Sequence, residues 1–255
     1  MKYFAPLVFC RKSSCHLCPV PIVCPGILFL LLSCMATLAA ADEPFRTAAS
    51  RRIDVHHIRL DIELDLPKKH LRGRATINFS PLPAFFETGR EPVIELDAHA
   101  LDVSAVRLAR DGGQATAVDF AVGDDELFIT APEGMVETGR KYFVEIDYSV
   151  TDPETGLHFF GPTKQAPNVP LMVWSQGEPQ ANHHWFPCID NSNERQSTEL
   201  NVRVSGDVEV LSNGQLISRK NSDQGHTTFH WKQEKEHVAY LVTLVAGKFN
   251  VATEE

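Results

Sequence analysis

The 255-residue sequence contains no His-Glu-x-x-His, no Gly-x-Ser-x-Gly and no Gly-rich phosphate loop. Each absence removes a chemistry: a helical zinc-hydrolase pair, an elbow-borne serine nucleophile, a cradle for nucleotide phosphates. Basic charge is scarce, with 24 Lys and Arg against 33 Asp and Glu. Phosphate backbones need a positive surface, so nucleic acid is not an expected partner. Long apolar runs are also missing, since "ILFLLLSCMATLAA", Ile27 to Ala40, falls short of the roughly 20 residues that span a bilayer. No sustained i, i+3, i+4, i+7 apolar stripe occurs, which argues against a helical architecture.

Cysteine is almost confined to the start. Cys10, Cys15, Cys18, Cys24 and Cys34 leave only Cys188 beyond them, so no internal disulfide is expected after the first forty residues. That same segment carries Lys2, Arg11 and Lys12 with no acid, then the apolar run, then Ala39-Ala40-Ala41. It reads as an export signal or leader over residues 1–41, cleaved before Asp42, and predicts a periplasmic or extracellular product. A retained leader, or lipid attached at Cys34 of "LLSC", would instead tether the protein to a membrane. Cys15-His-Leu-Cys18 has metal-ligand spacing but lies in the discarded segment. Losing the leader takes three basic residues and no acid, moving the formal charge from −9 to about −12.

What remains, residues 42–255, has period two. In "DVHHIRLDIELDL" the apolar residues Val55, Ile58, Leu60, Ile62, Leu64 and Leu66 mostly alternate with polar ones, the pattern of a half-buried strand. After "PKKHLRG", "RATINFSPL" resumes through Ala75, Ile77 and Phe79, so the two form a hairpin. Shorter strands follow at "PVIELDA", "LDVSAVRLA", "AVDFAVG", "ELFITAP" and "KYFVEIDYSV", separated by Gly, Pro and Asp. "TELNVRVSG" alternates through Leu200, Val202 and Val204, and Asn213-Gly214 signals a tight turn. Val238 to Val245 is nearly continuous apolar sequence, expected as one strand covered on both faces. The expected fold is mainly β, a single domain of stacked antiparallel sheets forming a β-sandwich.

One stretch concentrates chemistry: "WSQGEPQANHHWFPCID", Trp174 to Asp190. Adjacent His183 and His184 on an extended segment point to opposite faces and cannot chelate together. A zinc site built on His184 and Cys188 is conceivable in donor type, but packing or surface histidines are the simpler reading. Pro187 holds Phe186 extended; Trp185 and Phe186 are expected in the core, and Cys188 as a small buried hydrophobe with no basic partner. Asp190 is expected either to pin the loop through backbone N–H groups or to be exposed. Glu178, on its own, reads as a solvated loop acid.

Gln176-Gly-Glu178-Pro179 followed by Phe186-Pro187-Cys188-Ile-Asp190 resembles a segment of the zinc aminopeptidases of the aminopeptidase N type, a gluzincin metallopeptidase family. "HIRLDIELDL", "VIELDAHALDVSAVRL", "ELFITAP", "DPETGLHFFGP" and "AYLVTLVAGKFN" resemble that family's amino-terminal sandwich in the same order, over about Arg52 to Val251. The resemblance implies that Glu178 binds the free α-amino group of a peptide substrate and that Gln176 lines the first side-chain pocket. A peptide α-amine is largely cationic at pH 7, and a charge-assisted hydrogen bond to it contributes roughly 1.5 to 3 kcal/mol.

The family's zinc motif and Gly-x-Met-Glu-Asn loop belong to a following catalytic domain. The resemblance therefore implies a chain that stops before that domain, binds no zinc itself, has no catalytic residue and is inactive alone, with the parent's catalytic domain as its partner. Two other readings stay open: a non-catalytic scaffold or interaction module on the same sandwich, and an unrelated exported sandwich that binds carbohydrate or protein.

Overall fold

A computed structural model describes residues 51–87, 92–222 and 225–250. The expected leader at 1–41, including Cys15, Cys18 and Cys34, lies outside them. Alternation begins where the sequence places it. β1 (Ile53–Asp65) and β2 (His70–Pro81) pair antiparallel, with Ile58 opposite Ile77 and Leu60 opposite Ala75. Burial alternates along both strands, so each contributes one apolar face.

β3 (Val93–Asp97), β4 (Asp102–Arg110), β5 (Thr116–Ala117), β6 (Phe120–Val122), β7 (Glu126–Thr130) and β8 (Tyr142–Thr151) follow. Next come β9 (Gly156–Phe160), β10 (Met172–Gln176), β11 (Gln196–Ser205), β12 (Glu209–Ser212), β13 (Gln215–Asn221), β14 (His226–His237) and β15 (Leu244–Gly247). They form an eight-stranded sheet, β13-β14-β11-β1-β2-β8-β4-β5, a four-stranded sheet, β12-β15-β10-β9, and a three-stranded sheet, β3-β7-β6. Among the described residues there is no α-helix, only short 3₁₀ turns.

One hydrophobic cluster joins the layers. Leu60 and Ile77 of the large sheet share it with Val173 and Leu244 of the four-stranded sheet and with Ile94 and Leu127 of the three-stranded sheet. Each such side chain, fully buried, stabilises by roughly 1.5 to 3 kcal/mol. The other face of the large sheet is laddered by Arg59–Asp61, Arg72–Glu63, Arg74–Asp147 and Arg107–Asp147 ion pairs. Exposed pairs of this kind contribute about 1 kcal/mol or less each; they keep this face wet and so direct the small sheets to the other.

The β-sandwich matches expectation, with two local corrections. β1 and β11 run parallel, Ile58 beside Thr198 and Ile62 beside Val202; the intervening chain supplies the long crossover that a parallel pair requires. The chain turns at Asn213-Gly214 as expected, with Gly214 at a φ of 82°, and there passes from the four-stranded sheet, which β12 joins, to the eight-stranded one, which β13 joins. Val238 to Val245 is not one strand: a 3₁₀ turn at Ala239–Leu241 breaks it before β15. That run is apolar because it passes under the core, with Ala239, Val242 and Leu244 buried, rather than because it is extended throughout.

Candidate functional site

β10 delivers Gln176 to the end of the four-stranded sheet. Its outward face carries Met172, Trp174 and Gln176 at alternate positions, and Trp174 packs against His158 at 5.2 Å and stacks on Phe160 at 6.1 Å between ring centroids. Glu178 follows one buried glycine later, exposed, and its peptide bond to Pro179 is cis. The two residues singled out in the sequence thus stand two positions apart at one sheet end, both open to solvent.

What holds this loop is buried and polar. A Cβ at Gly177 would lie 2.3 Å from the Tyr240 carbonyl oxygen and 2.6 Å from the Asn182 side-chain amide, so only glycine lets the chain pass. The Ala181 N–H donates to the Gly177 carbonyl at 2.7 Å and closes the loop on itself. Asn182 is fully buried; its Nδ2 donates to the Ala239 and Val242 carbonyls at 2.8 and 3.0 Å, and its Oδ1 accepts the Trp185 indole N–H at 2.8 Å. The loop is therefore stapled to the 3₁₀ turn that breaks the 238–245 run.

Asp190 closes the far end. Its buried Oδ2 accepts the N–H groups of Asn182 and His183 at 2.9 and 3.2 Å and faces His183 Nδ1 at 3.1 Å. The pinning role expected for it is thus observed. Asp97, at the end of β3, exchanges backbone hydrogen bonds with Cys188 and accepts the Asp190 N–H on Oδ2 at 2.6 Å. Residues 177–190 are in this way tied to both small sheets.

Trp185, Phe186 and Cys188 are fully buried, as expected. Burial, reinforced by Asp190 and Asp97, pushes the Cys188 thiol well above its ordinary pKa, so it supplies no thiolate to a metal or a substrate. The histidine pair is a correction. Asn182–His184 forms a 3₁₀ turn rather than an extended segment, and the two rings lie 4.6 Å apart between centroids instead of on opposite faces. The Asp190 carboxylate gathers the two N–H groups of that turn, which is why the chain coils there.

Burial lowers the His183 imidazole, but the Asp190 carboxylate, with Asp97 and Asp125 adding to it, more than reverses this and its pKa is raised. Partial burial, with His183 and His99 beside it and no such partner, lowers His184 to about 4. Asn182, Asp97 and His99 were not among the residues the sequence singled out. A buried amide inside the polar string "QANHH" has no periodic signature, and Asp97 and His99 lie more than seventy residues from the loop they hold.

With this geometry in view, residues 54–241 match the Peptidase M1 N-terminal domain. The chain belongs to that family. It is 24% identical over 212 residues to leucine aminopeptidase 2 of Phaeosphaeria nodorum, covering 77% of this chain and 32% of the relative. Transcription initiation factor TFIID subunit 2 of Gallus gallus is 28% identical over 145 residues, 54% of this chain and 12% of that one. In structure, the chain superposes on an M1 zinc metallopeptidase mutant from Deinococcus radiodurans solved with a Tyr-Ser-Ala substrate, with a TM-score of 0.63 at 20% identity, covering 80% of this chain and 44% of the other. The chain spans less than half the length of each of these relatives.

The family's peptidase zinc finds no fit here. Two histidines one helical turn apart require an α-helix that the described residues lack, and the sequence has no His-Glu-x-x-His.

Proposed function

We propose that this chain is the substrate-amine-recognising domain of an exported zinc metallo-aminopeptidase, with Glu178 accepting hydrogen bonds from the cationic α-amine and Gln176 beside the first side chain. The observation that carries the reading is an exposed carboxylate at the end of β10, on a loop anchored by the buried, hydrogen-bonded Asn182 and Asp190 side chains. Such a carboxylate offers a fixed anion to a mobile ammonium, and preorganisation of this kind keeps the binding free energy from being spent on ordering the loop. Peptide-bond cleavage needs groups outside these 255 residues, and the chain by itself is proposed to be inactive. The leader reading of residues 1–41 gives export as the proposed localisation, periplasmic or extracellular.

A second reading, a scaffold module without catalysis, draws on the relative named as a transcription initiation factor subunit. A panel of aminoacyl chromogenic substrates separates the two when applied to this chain and to the product of the reading frame continued past codon 255. Activity confined to the longer product, with Glu178→Ala lowering kcat/KM about tenfold or more, is the expected result. If neither product is active, the scaffold reading replaces this one.

A further inference from the structure

Three imidazoles meet beside the Glu178 loop. His99 lies on the connection between β3 and β4, and His183 and His184 end the 3₁₀ turn. Ring centroids are 4.3 Å apart for His99 and His184, 4.6 Å for His183 and His184, and 6.5 Å for His99 and His183. The His99 N–H donates to the His183 carbonyl at 3.0 Å, so the two segments are already joined at the backbone.

Two of the rings are held from behind. His99 Nδ1 bonds to Asp125 Oδ1, and His183 Nδ1 to Asp190 Oδ2 at 3.1 Å. A carboxylate on one ring nitrogen is how metal-binding histidines are oriented, because it fixes the tautomer and leaves the lone pair on the other nitrogen. The third ring, His184, has a buried Nδ1 with no hydrogen-bond partner, a polar atom that interiors rarely leave uncompensated.

Two imidazoles on one tetrahedral metal, at roughly 2.0–2.1 Å from each nitrogen, place their centroids about 5 Å apart; the two separations that involve His184, 4.3 and 4.6 Å, lie just inside that value, and the 6.5 Å between His99 and His183 lies beyond it. Among the described residues no three donors already stand at ligating spacing. Closing the site asks for the His99 ring to turn toward His183 about its side-chain torsions, the exposed Asp125 carboxylate following it, while Asp190 keeps His183 in place and the backbone is already joined. The His99 and His183 side chains are 32% and 16% exposed, so an ion can enter from solvent.

We propose that His99, His183 and His184 bind one divalent transition-metal ion, with Asp125 and Asp190 orienting the rings. Imidazole nitrogens select Zn²⁺, Cu²⁺, Ni²⁺ or Co²⁺ over Mg²⁺ and Ca²⁺. The bound ion clamps the β3–β4 connection to the turn that starts four residues past Glu178.

The test is a Co²⁺ titration followed by visible absorption, on the full chain carrying Cys10→Ser, Cys15→Ser, Cys18→Ser, Cys24→Ser and Cys34→Ser so that the leader thiols do not compete. Expected is saturable one-to-one binding without a thiolate charge-transfer band. His99→Gln and His184→Gln should each weaken it by at least about tenfold, and Asp125→Asn by about tenfold to a hundredfold. Asp125 is 63% exposed, so its variant reads the site without disturbing the fold. His158→Gln, which alters a ring packed on Trp174 instead, should leave binding unchanged. Absence of saturable binding, a thiolate band, or equal affinity in the His99 and Asp125 variants overturns the proposal.

Discussion

Replacing Asn182 by alanine removes the amide that joins the Glu178 loop to the Ala239–Leu241 turn. Three hydrogen bonds disappear, but their losses are unequal. The Ala239 carbonyl still accepts the Val242 N–H at 3.0 Å and loses only its second donor, about 1 kcal/mol net. The Val242 carbonyl and the Trp185 indole N–H lose the partner recorded for each, at a site where Trp185 and Val242 are buried. Leaving a buried polar group unpaired costs about 1 to 3 kcal/mol, so Asn182→Ala should destabilise by about 3 to 7 kcal/mol. In a domain of this size that lowers Tm by about 10 °C or more. Gln180→Ala is the internal comparison: its Nε2 donates to the Asp190 carbonyl at 2.8 Å, but Gln180 is exposed, so its loss should cost about 1 kcal/mol or less. Urea and thermal unfolding of the two variants beside the parent would decide. Equal losses for both substitutions, or less than about 1 kcal/mol for Asn182→Ala, would refute the claim that this amide carries the loop.

Other outcomes follow from the same geometry. Gly177→Ala forces a Cβ to within 2.3 Å of the Tyr240 carbonyl oxygen and should cost about 1 to 3 kcal/mol, read by chemical denaturation. Burial lowers the folded-state pKa of His237, whose Nε2 meets Thr198 Oγ1 at 2.9 Å. Its contribution is therefore full above the unfolded value of 6.5 and is lost as pH falls below it, so the stability of the parent relative to His237→Gln should decline between pH 7 and pH 5. Cys188, buried with a raised thiol pKa, should resist a thiol reagent in the folded chain and react once urea unfolds it, measured with the five leader cysteines changed to serine.

What the sequence made legible was local alternation. β1 and β2 were readable because each strand buries one face and the turn between them is short, so pattern and pairing share the same window. The parallel neighbour of β1 was not readable, since the alternation in β11 would look the same beside any strand on the same face. Asn213-Gly214 announced a turn and nothing in it specified which sheets the flanking strands would join. Gln176, Glu178 and Asp190 stand out through a motif, whereas Asn182 and Asp97, which hold the loop together with Asp190, do not.

The histidine pair shows why. Whether two adjacent side chains point apart or together depends on whether the backbone is extended, and here Asp190, seven residues past His183, settles that by drawing in the N–H groups of Asn182 and His183. Asp190 is in turn fixed by Asp97 through a contact spanning 93 residues. The exposed carboxylate of Glu178 thus owes its position to a relay of polar contacts, Asp97 to Asp190 to the 182–184 turn to the 239–242 carbonyls, whose first and last steps join segments far apart in sequence. A substitution anywhere along that relay should move Glu178 without touching it.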